Sequence, residues 1–469
     1  MGIKYFFGWL KRNYYNRCIY PFRDTGKYEE LLVDFPGEIH RAAQKVAKYG
    51  GYATTETQEK WDYSKNHLIA KEVCNRLEFL ISLTKPRKMC VFADGVVSIA
   101  KMNQQRQRRY KSSLTSSHFN TSIISPGTKH LREILKEVET FLSILIKKYR
   151  LEAIIYSSEL QPGEAEHKLM NYIRYRTSQR TSYLVVGMDA DLVMLTLANT
   201  KDFPNPVGIL REDNKIADKY DLINIGELRR ELEKFFYIDD FVLISTFTGN
   251  DFLPHILSIK KQGMEDILQA YLKLDQLKRT PIIRDGQIVH SNFRTFVELI
   301  RDNTVDVGIK ATTEESERNI DSKNLKYLEG LQWIMDYYFC GISDWNWYYP
   351  YHYAPSLNNL LAFYPKEAEL RALNECKGRT TPVSVEEQLL GIIPYDSRKE
   401  VFQGREELGK FVVDEGRFEV DYGEEILEEK KKELWEAVAL IAMMDRGKLD
   451  ERYRGYGGEE YKREEAKKF

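Results

Sequence analysis

The sequence predicts an α/β fold built on a central, mainly parallel sheet. Two observations carry this. Short apolar runs of strand length alternate with longer stretches of helical period through the first half of the chain. Acidic residues also stand directly after several of those runs, where the carboxyl ends of parallel strands would line a ligand crevice. In order, Leu31-Leu32-Val33 is a strand that ends at Asp34. Residues 68–83 carry apolar side chains at helical spacing and stop at Lys85-Pro86, because the residue before a proline is pushed away from helical backbone. Residues 89–93 form the next strand and run into Asp94. Residues 131–146 are a helix by period, and 153–156 and 183–186 are further strands. Residues 50–66 are polar and Gly/Thr-rich and read as a surface loop. A second, mostly helical part opens on an aromatic cluster at 333–353 and closes with a helix expected over about 424–444. The last 24 residues, 446–469, include 14 charged ones, so a solvated, mobile tail is expected.

Composition bounds the function. Of 469 residues, 42% are hydrophobic and 30% charged, which suits a soluble chain with a sizeable core. Seventy Lys and Arg against 71 Asp and Glu give a net charge of -1, which excludes a uniformly basic nucleic-acid coat. Any nucleic-acid role must rest on a local basic patch. The five cysteines (Cys18, Cys74, Cys90, Cys340, Cys376) are scattered and form no CxxC pair, which argues against a disulfide framework or zinc knuckle. The strongest apolar run, 437–444, is far below the roughly 18–20 residues of a membrane span. The N-terminal MGIKYFFGWLKRNYY has no secretory h-region. The expectation is a soluble, cytoplasmic protein, with a nuclear address left open and no membrane partner.

The carboxylates are the chemistry. Asp34 and Asp94 end strands. Asp189 and Asp191 follow YLVVGM, and if the backbone stays extended their i, i+2 spacing puts both on one face. Glu164 and Glu166 follow Pro162-Gly163, and Asp251 lies in Thr248-Gly249-Asn250-Asp251. A single such acid is more often a helix cap or a solvated loop residue. A set gathered in one crevice would repel strongly without cations. All-oxygen ligands suit Mg²⁺ or Mn²⁺, and two such ions can activate a water and stabilise the leaving oxygen of a phosphodiester.

Seven residues beyond Asp94 begins Lys101-Met-Asn-Gln-Gln-Arg-Gln-Arg-Arg-Tyr-Lys111, with five cations and no acid. On a helix Lys101, Gln105, Arg108 and Arg109 share one face. Alone, such a run reads as a solvated basic face. Beside an acidic strand end it becomes a phosphate grip. The segment Trp345-Asn-Trp347-Tyr-Tyr-Pro-Tyr-His-Tyr-Ala-Pro355 is mostly core aromatic, with one or two rings available to stack on bases.

These blocks resemble the XRN family of 5′→3′ exoribonucleases. The likeness begins at MGIKYFFGWL and continues through LLVDFPGEIH, VFADGVVSIAKMNQQRQRRYKSS, SPGT, QPGEAEHKLMNYIR, VVGMDADLVMLTL and DDFVLISTFTGNDFLPHI. It goes on through DWNWYYPYHYAPSL and PVSVEEQLLGIIP to LWEAVALIAMMD, ending near Asp445. The resemblance implies a PIN/flap-nuclease domain over 1–301, a polar connector over 302–323, a second conserved region over 324–445 that braces the active site, and the charged tail. It implies that Asp34, Asp94, Glu164, Glu166, Asp189, Asp191 and Asp251 hold two Mg²⁺ or Mn²⁺ ions. By the same token, Lys101, Gln105, Arg108 and Arg109 grip a 5′-monophosphate, and His40 stacks on the first base with a tryptophan opposite, Trp347 favoured over Trp345. The implied activity is processive release of mononucleotides from single-stranded RNA with a 5′-monophosphate, by a monomer, with a decapping enzyme acting upstream. The longer family members' C-terminal extensions and the Cys/His knuckle of some are not expected here. Phe35-Pro36 stands where the family usually has Met-Asn, so a changed loop beside Asp34 is expected. Rival readings are an inactive RNA-binding scaffold of the same fold, a flap endonuclease, and an Asp-nucleophile phosphatase, whose short DxDx[TV] pattern fits Asp189 to Val193.

Overall fold

The computed structural model describes residues 6–456, apart from 24–25, 54–58, 116–117, 177–179, 202, 214–218, 257–262, 279–280, 304–319, 364–379, 417, 422–433 and 435–436. In chain order its first part runs α1 (Phe6–Tyr14), β1 (Ile19–Pro21), β2 (Glu30–Asp34), α2 (Phe35–Ala47), α3 (Asn66–Thr84), β3 (Lys88–Phe92), α4 (Ile99–Ser113), α5 (Lys129–Tyr149), β4 (Ala153–Ser157), α6 (Ala165–Arg174) and β5 (Tyr183–Val186). Then come α7 (Asp191–Asn199), β6 (Val207–Glu212), β7 (Tyr220–Asn224), α8 (Ile225–Leu232) and α9 (Ile238–Ser245), followed mainly by helices. The chain divides into two compact units that interleave along the sequence.

One unit comprises Arg23–Gly187, Thr381–Asp421 and Glu433–Phe469. Its core is a parallel sheet in the order β5-β2-β3-β4, with Asp34 paired to Phe92 and Phe92 to Ser157. Leu31, Leu32, Val33, Met89, Cys90 and Val91 are fully buried. Continuous apolar runs of this kind mark strands covered on both faces. Because the strands are parallel, all their carboxyl ends lie at one edge. Helix α3 packs against α2 and α5. Ser98 and Thr128 cap α4 and α5 by accepting from the backbone N–H three residues on.

The other unit comprises Met1–Phe22, Met188–Thr380 and Tyr422–Lys432. Strands β1, β7 and β6 pair antiparallel in that order. Around them lie α1, α7, α8, α9 and the helices Gly263–Lys278, His290–Asn303 and Ile320–Phe339. Its core is aromatic. Phe236 packs on Phe241 and Tyr271, and Phe252 packs edge-on against Trp333 and Tyr337.

Three expectations need correction. Within the region expected to be helical over 424–444, Val438–Leu440 is a strand paired antiparallel with Glu419–Asp421. Val438 is β-branched and Ala439 is fully buried against its partner strand, so pairing overrides the helical period. Residues 424–433 lie outside the described residues. The charged tail begins with a helix, Arg446–Gly455, capped by Asp445 and buried through Leu449 and Tyr453. Two apolar residues one turn apart suffice to seat it. Of the 302–323 connector, 304–319 is outside the described residues, and 320–323 already belong to the helix Ile320–Phe339.

One face of helix α4 is pinned by buried hydrogen bonds and an ion pair. Asn103 donates to the carbonyl of Met444 at 2.8 Å and accepts from its N–H at 2.7 Å. Arg106, 1% exposed, donates to the carbonyls of Gly391 (2.8 Å) and Ala442 (3.3 Å) and pairs with Glu415. Lys111 donates to Ala437. Removing a buried charge strands its partners, at roughly 3–5 kcal/mol. Arg106→Ala is therefore expected to lose about 3 kcal/mol of stability, read as a fall in melting temperature of roughly 6–12 °C. A fall under about 2 °C, or under roughly 1 kcal/mol, would show that this face is not what seats α4.

Candidate active site

In the parallel-sheet unit, Asp34 ends β2 and is the cap residue of α2. The helix starts at once with Phe35, fully buried, and Pro36 sits in the first turn, where its missing N–H goes unneeded. The changed loop expected from Phe35-Pro36 is therefore not a loop, and α2 carries His40 intact. Asp94 lies two residues beyond β3 and accepts from the N–H of Ala165 at 2.8 Å. Glu164 is the cap residue of α6 and Glu166 lies in its first turn; both are buried.

The two acid-bearing turns are stitched together by backbone. Gly95 N–H donates to Gly163 at 3.0 Å, and Gly163 N–H donates to Val96 at 2.7 Å. A Cβ on Gly95 would run into the carbonyl oxygen of Gln161. Gly163 holds a φ of 106°, which favours glycine. Lys168 on α6 donates to the carbonyls of Ala93 (2.8 Å) and Ser158 (2.9 Å).

The free face of α4 meets these acids. Lys101 pairs with Glu164 at 2.6 Å. The oxygen Oε1 of Gln105 and Nη1 of Arg109 are buried, with no hydrogen-bond partner among the described residues. Burial, then the charge of Arg108, pulls the Arg109 pKa down to about 9, with Asp94 opposing. The guanidinium stays a cation at neutral pH. Arg108 is exposed. A buried donor left without a partner is costly, and Nη1 of Arg109 is a donor that an anion would satisfy, whereas Oε1 of Gln105 is an acceptor that needs a donor. His40 is also brought here: burial, then the charges of Arg108 and Arg109, pushes its pKa down to about 4.

The donor set is carboxylate without thiol, which fits a hard, oxygen-seeking cation. Lys101 on Glu164 shows that this acid already takes a cation. Among the described residues, no group of three or more His, Cys, Asp or Glu stands ready to hold a metal ion.

The remaining residues lie in the other unit. The extended backbone assumed for Asp189 and Asp191 is not found: Ala190 is helical and Asp191 opens α7. Asp189 is exposed and Asp191 buried. Arg211 feels the charge of Asp189, and burial lowers its pKa. Asp251 sits in a turn fixed by Asn250, whose side chain accepts from the N–H groups of Phe252 (2.9 Å) and Leu253 (2.8 Å). Trp347 is 6% exposed and stacks on Trp333 with centroids 4.8 Å apart. Trp345 is half-buried.

The chain matches the family described as XRN 5′-3′ exonuclease N-terminus over residues 1–118 and 112–213. It matches the Xrn1 helical domain over 231–326 and 308–468, more than half the chain. The chain belongs to the XRN family. It is 22% identical to the human 5′-3′ exoribonuclease 1 over 96% of this chain and 34% of the relative. It is 23% identical to the Drosophila melanogaster 5′-3′ exoribonuclease 2 homolog over 96% and 70% of the respective chains. For the 5′-3′ exoribonuclease 1 of Saccharomyces cerevisiae the identity is 30%, over 43% of this chain and 16% of the relative. The chain thus spans about a third of the human relative's length.

Sequence reasoning named the α4 face of this XRN chain but missed Gly95, Lys168 and Gln388. Gln388 is fully buried and accepts from Val97 N–H at 2.8 Å, just past Asp94. A lone lysine in a run of acids and a lone amide in an apolar helix were the available signals. The His40 shift has a sign. Its folded pKa of about 4 lies below the unfolded 6.5, so the stability it confers is present above about 6.5 and is lost as pH falls toward 4. The His40 ring resonances are expected to keep neutral-form shifts from pH 8 down to about 5; a midpoint near 6.5 would contradict the buried, cation-flanked placement.

Proposed function

We propose that this chain is a 5′→3′ exoribonuclease that degrades single-stranded RNA from a 5′-monophosphate. One observation carries the reading. Within one unit, a basic helix face with a buried, partnerless donor on Arg109 is joined to the cap acid of α6 by the Lys101–Glu164 ion pair. A grip for a terminal phosphate beside a cluster of acids is what cutting at the next phosphodiester requires. Membership of the XRN family supports the same chemistry.

In this reading Arg109, Gln105, Arg108 and Lys101 bind the terminal phosphate, with the guanidinium groups donating in their fixed fork. His40, neutral at physiological pH, offers an uncharged ring to the first base. Asp34, Asp94, Glu164 and Glu166 of this unit are proposed to hold Mg²⁺ or Mn²⁺, and the family resemblance assigns metal-holding roles to Asp189, Asp191 and Asp251 as well. When bound, such ions would activate the attacking water and stabilise the leaving oxygen. Ala165 N–H, by donating to Asp94, orients that carboxylate. Exclusion of a triphosphate or cap is what the family resemblance implies. Trp347, already covered by Trp333 on one side, has only its remaining surface for a base, and Trp345 is the more accessible ring.

One RNA prepared with 5′-phosphate, 5′-hydroxyl and capped ends tests the proposal. Mg²⁺-dependent release of mononucleotides from the phosphorylated form alone is expected. Equal decay of all three, or internal cuts, would sink it. Asp191→Ala should abolish cleavage while sparing RNA binding. Arg109→Met should reduce the preference for 5′-phosphate by roughly 10- to 100-fold, the worth of a hydrogen bond to a charged group. Trp345→Ala should weaken RNA binding more than Trp347→Ala.

A further inference from the structure

We infer that Lys168 is a positioning residue for the acidic end of the parallel sheet. The inference rests on the proposed nuclease function and assigns a device that sets the spacing of its acids.

Lys168 lies on α6, four residues after Glu164 and on the same helical face. Its ammonium donates to two carbonyls from different strand ends: Ala93, between β3 and Asp94, and Ser158, directly after β4. The Ser158 end leads through Gln161 and Gly163 into Glu164. One side chain therefore joins the end of β3, the end of β4 and helix α6. A compact ammonium with three donors suits this task, since it can serve diverging acceptors that a planar fork cannot.

Besides Lys168, the two strand ends and turns share the Ala93–Ser157, Gly95–Gly163 and Gly163–Val96 backbone bonds and the Ala165–Asp94 bond. The turns approach so closely that Gly95 admits no Cβ. The charge matters as well as the donors. Asp94 and Glu159 both bear electrostatically on Lys168, and Glu159, Glu164 and Glu166 are buried. The Lys168 side chain, whose charge burial disfavours and Asp94 and Glu159 favour, ties these turns together. Without it the turns can drift apart, and a misplacement near 1 Å costs a reaction about 100-fold. The α4 phosphate grip makes no use of Lys168, so substrate capture should survive the loss.

The test uses the full chain with Lys168→Met, and with Lys168→Gln, which keeps one donor amide and serves if the Met variant does not fold. With 5′-phosphorylated RNA, the expected result is a fall in kcat of about 10- to 100-fold with KM within about twofold, the Gln variant lying between. Amide hydrogen exchange supplies a readout independent of cleavage: the N–H groups of Gly95, Gly163 and Ala165 should exchange at least about tenfold faster, while β2 and α5 stay as protected as before. Unchanged exchange at those three amides would overturn the inference, as would faster exchange spread evenly over the unit with kcat per folded molecule intact. Failure of the nuclease reading would look different, because the wild-type chain would then be inactive on the RNA while the exchange comparison still reads Lys168.

Discussion

Everything at the site depends on α4 being pinned by one face. Asn103 and Arg106 point roughly opposite to Lys101, Gln105 and Arg108 around a helix of 3.6 residues per turn. Fixing the first set to Gly391, Ala442 and Met444 fixes the direction of the second. Asn103 and Arg106 on the inner face are matched to backbone carbonyls, so they cost little once buried. The outer face is where matching stops: Gln105 and Arg109 keep buried atoms that no described residue satisfies.

That mismatch has an energetic direction. A buried cation without a partner destabilises the folded chain unless something else recovers the loss. Asp94 recovers part of it through space, and a bound phosphate would recover more. His40 stays neutral for a related reason: burial first, and then the charges of Arg108 and Arg109, oppose its taking a proton. The acids show the complementary strain, with Glu164 neutralised by Lys101 and the turn around Asp94 tied by Lys168 and two glycines. A net charge of -1 over the chain hides two opposed local charges held in contact.

Much of this was legible in the sequence. Leu31-Leu32-Val33 and Met89-Cys90-Val91 read as buried parallel strands because nothing polar interrupts them, and the acids that follow mark the strand ends. The basic face of α4 was legible from spacing alone. What was not legible depends on contacts distant in sequence. Val438–Leu440 reads as helix until its partner, Glu419–Asp421, is known. Strands β1, β6 and β7 are too short or too mixed to stand out. Asp189 and Asp191 part company because Ala190 turns helical, which no alternation of types foretells. Trp347 differs from Trp345 in being covered by Trp333 and Gly330, residues of an earlier helix. Arg106 looks like its basic neighbours in the run, and only burial separates it from them.

The central claim is that the outer face of α4 is a seat for one terminal phosphate. Calorimetric titration of the metal-free protein with a short single-stranded RNA, once 5′-phosphorylated and once with a 5′-hydroxyl, tests it most directly. The account predicts that the phosphorylated form binds at least about tenfold more tightly, the equivalent of about 1.4 kcal/mol, with the advantage removed by Arg109→Met. Equal affinity of the two forms for the wild-type chain would contradict it.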